Sequence, residues 1–94
     1  MALLFDWDPR TAERNLALHG VSFDEASTAF RDPLSSTIDD PLHSTDEERY
    51  VLTGLSHRGR LLVVVHNERG DRIRIISARL ATNKERRQYE EAKT

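Results

Sequence analysis

The sequence predicts an α+β domain in the order β-α-α-β-β-β-β-α, an antiparallel meander sheet with helices packed on it. Three observations predict this. Two short helices open the chain, each with its own start and stop signal. Runs with strand periodicity follow, joined by short turns that end in glycine. A last capping signature then begins a terminal helix. With 94 residues the chain is expected to form one domain, residues 1–94, with a modest core.

Leu3–Trp7 reads as a short strand. Asp8 can cap a helix and Pro9 suits its first position, so a helix follows over Arg10–Leu18 with Ala12, Leu16 and His19 as its inner stripe. Gly20 ends it. Ser22 with Glu25 forms a capping box for a second helix, flanked by Val21 and Ala26 as a hydrophobic staple. Asp32-Pro33 stops that helix. Leu34–Ile38 is a candidate short strand, and the acidic, proline-containing stretch Asp39–Glu48 reads as a loop. Arg49–Leu55, Arg60–His66 and Asp71–Ala78 are the three long strands, with turns at 56–59 and 67–70. The middle strand is apolar on both faces, which suits a central position. Thr82 and Glu85 make a further capping box, opening a helix that runs to about Ala92. Trp7 is expected to anchor the first strand against the first helix.

Composition removes several functions. Cysteine is absent, so there are no disulfides or thiolate metal sites. The apolar run at Met1–Asp6 is too short for a signal peptide, and Leu61–Val65 is too short to span a bilayer, so a cytoplasmic protein without membrane contact is expected. Charge is split along the chain. Residues 1–50 hold 4 basic and 11 acidic side chains, a net −7, whereas residues 51–94 hold 10 and 5, a net +5. Such asymmetry suggests a polyanion partner, although the two halves could simply attract each other.

The histidines, His19, His43, His57 and His66, show no metal-ligand spacing, and there is no phosphate-binding glycine loop or serine elbow. No metal and no cofactor are expected. What remains is arginine. Arg72 and Arg74 alternate with isoleucines and so share a strand face. Arg79 ends that strand and Arg60 begins its neighbour. Lys84, Arg86 and Arg87 sit in the first turns of the last helix. Guanidinium is a planar fork matched to phosphate, so these residues are candidate RNA contacts, and Arg60, Arg74 and Arg79 are candidates to stabilise a phosphorane. RNA supplies its own nucleophile, the 2′-OH, and histidine is the natural proton carrier. His66, near Arg72 across the hairpin, is one candidate, with His19 and His43 as others. His19 also fits a plain helix-end histidine. Glu48, beside Arg49, is a candidate base. Tyr89 either stacks on a base or closes the core.

These motifs occur in a familiar order. Phe5-Asp6-Trp7-Asp8-Pro9, Asn15, His19-Gly20-Val21-Ser22-Phe23 and Phe30-Arg31-Asp32-Pro33 resemble the N-terminal half of BrnT-family toxins. Gly59–Val65, Arg74-Ile75-Ile76-Ser77-Ala78-Arg79, Glu85-Arg86-Arg87 and Tyr89-Glu90 resemble the C-terminal half. One departure is Leu18, where the family usually has a basic residue, so the basic patch expected on the first helix is thinner. The resemblance implies a RelE-like fold and a ribonuclease toxin of a type II toxin–antitoxin system that blocks translation. It also implies a BrnA-like ribbon-helix-helix antitoxin, a heterotetramer with two toxins, and contact with operator DNA only through the antitoxin. The alternative is a non-catalytic RNA- or protein-binding regulatory module, which would bind RNA without cutting it.

Overall fold

In the computed structural model, which describes residues 3–40 and 48–92, the chain is a mixed α+β fold with a five-stranded sheet. The elements are β1 (Leu4–Asp6), α1 (Pro9–His19), α2 (Phe23–Thr28), β2 (Ser36–Asp39), β3 (Tyr50–Leu55), β4 (Leu61–Arg69), β5 (Arg72–Leu80) and α3 (Asn83–Glu91), with a 3₁₀ turn at Ala29–Arg31 after α2. The sheet order is β1-β5-β4-β3-β2. β1 runs parallel to β5, and the other neighbours are antiparallel. The apolar run of β4 thus lies mid-sheet, and Leu61 to Val64 are buried.

Register divides the sheet into two faces. Leu62, Val64, Ile75 and Ala78 pack with Val21, Phe23 and Ala26 of the α1–α2 layer. Trp7 meets Phe23 of α2 edge-on at 5.9 Å, and Phe5 meets Phe30 at 5.1 Å. The opposite face carries α3, whose buried Tyr89 donates a hydrogen bond to Asp32. Asp32 also accepts from the backbone N–H of Leu55 at 2.9 Å, so one carboxylate joins the end of the helical layer, β3 and α3.

Helix α1 departs from the expected stripe. Leu16 is 51% exposed and His19 is also exposed, while the residue it buries is Asn15. The reason lies in the sheet. β1 pairs only with Arg72–Arg74, so the outer edge of β5 beyond it needs another partner. The Asn15 amide supplies it, donating to the Ala78 carbonyl at 2.8 Å and accepting from the Ala78 N–H at 3.1 Å. Its amide nitrogen also reaches the Val21 carbonyl at 3.0 Å. A buried amide here does what an apolar side chain could not.

The capping signals divide. Thr82 and Glu85 form the full reciprocal box of α3. At α2, Ser22 accepts from the Glu25 N–H at 3.0 Å, but the Glu25 side chain turns away into the protein. The second long hairpin is also tighter than expected. β4 continues through Arg69, and the turn is Gly70-Asp71, with Gly70 at φ 59°. His66 therefore lies inside the strand rather than at its end.

A register shift follows from the same hairpin. Val65 faces Ser77, yet His66 faces Ile75, so Ile76 is an extra residue on β5. Strict alternation would place Arg79 on the face opposite Arg72 and Arg74. With the bulge, Arg72, Arg74 and Arg79 oppose Arg69, Asn67 and Val63, and all three share the face away from α1 and α2.

Candidate functional site

The arginines expected to act together fall into separate places. Arg74 and Arg79 share a face but lie five residues apart, roughly 16 Å at the ordinary strand rise. Their guanidiniums turn to different partners, Asp6 for Arg74 and Glu85 for Arg79. Arg74 makes a loose pair with Asp6 of β1 at 3.4 Å. Arg72 lies exposed beside it.

Arg60 is engaged in the helical layer, apart from Arg74 and Arg79. Its Nε donates to Glu25 Oε2 at 2.9 Å, one Nη2 hydrogen goes to the other Glu25 oxygen, and Nη2 also reaches the Gly20 carbonyl at 3.1 Å. Glu25 is 3% exposed and further accepts from Ser56 Oγ at 2.8 Å and from Arg58 at 3.4 Å. The Arg60 guanidinium holds the Glu25 carboxyl down at about 2, against desolvation. The pair closes α2 onto the β3–β4 turn, in the helical layer.

Arg79 is held differently. Its Nη1 and Nη2 donate to the two oxygens of Glu85 at 2.8 and 2.9 Å, and Nη1 touches the Leu80 carbonyl at 3.2 Å. Glu85 therefore occupies the end of the guanidinium. The side edge, Nε–H with the second Nη2 hydrogen, has no partner among the described residues. That edge is a second fork of the geometry that phosphate takes. Glu85 is itself fixed, because its carboxylate accepts from the Thr82 N–H at 2.8 Å. The Arg79 guanidinium keeps the Glu85 carboxyl at about 2, so it stays charged and is a poor proton acceptor near neutrality. Beside this pair, Lys84, Arg86 and Arg87 are exposed at the start of α3, where the helix dipole adds positive potential.

Among the described residues, no histidine lies on this face. His66 is 3% exposed, packed edge-on against Phe30 at 4.8 Å and near Tyr50 at 5.7 Å. Its strand neighbour is Ile75, which points it into the helical layer and away from Arg74 and Arg79. Burial lowers its pKa, so it is neutral at physiological pH. His19 ends α1, also in that layer, and His43 lies outside the described residues, as does most of the acidic stretch before Glu48. Glu48 is exposed and accepts from the Tyr50 hydroxyl at 2.8 Å, which raises the tyrosine pKa. By register Tyr50 faces His66, so Glu48 sits toward the Arg72–Arg74 end. Tyr89 is 7% exposed and packs as part of the core. Among the described residues no three acidic, histidine or cysteine side chains gather to hold a metal ion. No helix is long and apolar enough to cross a membrane.

Three residues escaped the sequence reading of the site. Glu85 was visible as a helix cap, but not as the partner of an arginine six residues earlier. Asn15 and Asp32 were visible as motif positions, but neither stands out without the sheet edge and turn that they bind.

Acid should reveal these groups in two steps. His66 has a folded pKa below its ordinary 6.5, so the stability tied to its neutral form is present above that value and is lost as pH falls below it. Glu25 and Glu85 have folded values of about 2 against 4.5, so their contribution is full above 4.5 and drains away between 4.5 and 2. Denaturant titrations from pH 3 to 8 should show stability rising with pH up to about 6.5 and level above it, with Glu25→Gln flattening the lower step. A flat profile across that range would contradict both assignments.

Comparison with known protein families places residues 7–85 among the ribonuclease toxins of type II toxin–antitoxin systems. Within that class, the chain belongs to the BrnT family. Among solved structures it is similar to the Brucella abortus ribonuclease toxin BrnT, with a TM-score of 0.64 and 24% identity, over 87% of this chain and 100% of that one. That likeness is one of fold. Comparison with curated proteins gives no match. A type II toxin implies an antitoxin partner.

Proposed function

We propose that this chain, working as one domain in the cytoplasm, cleaves RNA without a metal ion, using the substrate's own 2′-OH. The observation that carries this reading is the unengaged fork of Arg79, held rigid by Glu85 beside three further cations. In the step, the 2′-oxygen bonds to phosphorus, and the 5′-oxygen leaves with the bonding electron pair. The products are a 2′,3′-cyclic phosphate and a 5′-hydroxyl. Arg79 stabilises the charge on the equatorial oxygens as the phosphorane forms. Arg74 and Arg72 hold phosphates farther along the strand, and Lys84, Arg86 and Arg87 hold those near α3. Water takes the proton from the 2′-OH and returns one to the leaving oxygen.

In this reading the fold is RelE-like, and cleavage blocks translation. A BrnA-like ribbon-helix-helix antitoxin neutralises the toxin in a heterotetramer with two toxin copies, and operator DNA is touched only through that antitoxin. Expression of the chain alone should arrest growth and yield RNA fragments with cyclic phosphate ends. The purified protein should make the same fragments in the presence of a chelator. Salt-sensitive RNA binding with no fragments would instead favour a regulatory binding module.

A further inference from the structure

β4 is the central strand, and its Val63 and Val64 are 4% and 0% exposed, yet Val65 is only half-buried. Val64 packs with the α1–α2 layer, so Val65 points to the opposite face. Helix α3 lies on that face, but its fixed points are Glu85 on Arg79 and Tyr89 on Asp32, which also holds Leu55. Both are at or beyond the Arg79–Val63 rung, and the Ser77–Val65 rung is left partly open. The bulge at Ile76 decides what stands there. Because Ser77 pairs with Val65, its hydroxyl is on the open face, between Arg74 and Arg79 on the same strand. Ser77 is half-buried, and its hydroxyl makes no hydrogen bond among the described residues.

Cations flank this platform on both sides. Roughly 16 Å of strand separates Arg74 from Arg79, which leaves room for a nucleoside between the phosphates that two such cations hold. Exposed Arg72 carries the positive charge on beyond Arg74, and exposed Lys84 does so beyond Arg79. A single-stranded nucleic acid asks three things of a surface: cations for its backbone, an apolar floor for a base and a polar group for the edge of that base. All three stand here in one row. We infer that Val65 and Ser77 seat the nucleotide next to the cut bond, on its Arg74 side. Val65 supports the face of the base. Ser77 Oγ, which can donate or accept, bonds its edge and sets which base is preferred. This rests on reading Arg79 as the group that holds the phosphate being cleaved.

The test uses the full chain on single-stranded RNAs that differ at the nucleotides on either side of the cut, with the new 5′-hydroxyl ends sequenced. Wild type should favour one base at one of these nucleotides. Ser77→Ala should reduce that preference by about 2–10-fold, the worth of one hydrogen bond, and should melt like the wild type. Ser77→Thr keeps the hydroxyl and should keep the preference. Removing the base at that nucleotide, with an abasic sugar in its place, should slow cleavage by wild type about tenfold or more. A wild type with no preference at either nucleotide overturns the role of Ser77, as does a Ser77→Ala protein that keeps the preference in full. Equal cleavage of the abasic and intact strands overturns the seat. So does a folded Val65→Asp variant that cuts RNA as the wild type does but no longer binds its protein partner, which would assign the platform to that partner. Affinities for the same strands with 2′-deoxy sugars at the cut separate this inference from the reading beneath it. A chain that cuts nothing, yet binds the intact strand about tenfold more tightly than the abasic one, keeps the seat and overturns the ribonuclease reading alone.

Discussion

Arg79→Ala is expected to abolish growth arrest and to lower the RNA cleavage rate by about 10²–10³-fold, the range found when one donor to a developing oxyanion is lost. The fold should survive. The Arg79–Glu85 pair is partly open to solvent, with side chains 41% and 28% exposed, and such pairs contribute under about 1 kcal/mol. Thr82 and Glu85 still cap α3 without the arginine. Arg79→Lys should recover little of the rate, because an ammonium keeps the charge but not the fork. The pH–rate profile should lack a bell near neutrality, since no described histidine shares the face with Arg79 and Glu85 stays ionised. Single-turnover cleavage of a labelled single-stranded RNA, beside a circular dichroism melt, measures both halves of the expectation. Near-wild-type cleavage by a folded Arg79→Ala protein would remove the fork from the mechanism.

The element types and most caps could be read from the sequence because they depend on neighbours in the chain. Asp8-Pro9, Gly20 and the Thr82–Glu85 box each involve residues within one helical turn, and each holds. The site could not be read the same way. Which face Arg79 occupies depends on one extra residue, Ile76, and no local rule announces a bulge inside an Ile-Ile-Ser run. The placement of His66 failed for a related reason. The expected four-residue turn shortened to Gly70-Asp71, which drew His66 into the strand, and its parity then turned it toward Phe30. Asn15 inverted the usual logic of an amphipathic helix because an unpaired strand edge outweighed the gain from burying Leu16.

Arg60 and Arg79 were indistinguishable in the sequence, each an arginine at a strand terminus in a family motif. Opposite phenotypes are expected of them. Arg60→Met keeps most of the side-chain volume but strands the Glu25 carboxylate, 3% exposed, with only Ser56 and a distant Arg58 for company. Leaving one member of a buried pair uncompensated costs Glu25 about 3 kcal/mol, the low end of the range because water can still reach the gap left by Arg60. For a chain of this length that amounts to a fall of roughly 10–20 °C in Tm. Cleavage by the fraction that remains folded should be nearly unchanged, because the lost guanidinium belongs to the helical layer and not to the Arg79 face. The double variant Glu25→Gln with Arg60→Met should regain most of the stability, since removing both charges removes the stranded one. Melts of the four proteins in the cycle decide the matter. If Arg60→Met melts like the wild type but has lost cleavage, Arg60 acts on RNA, and the division between a structural and a functional arginine is wrong.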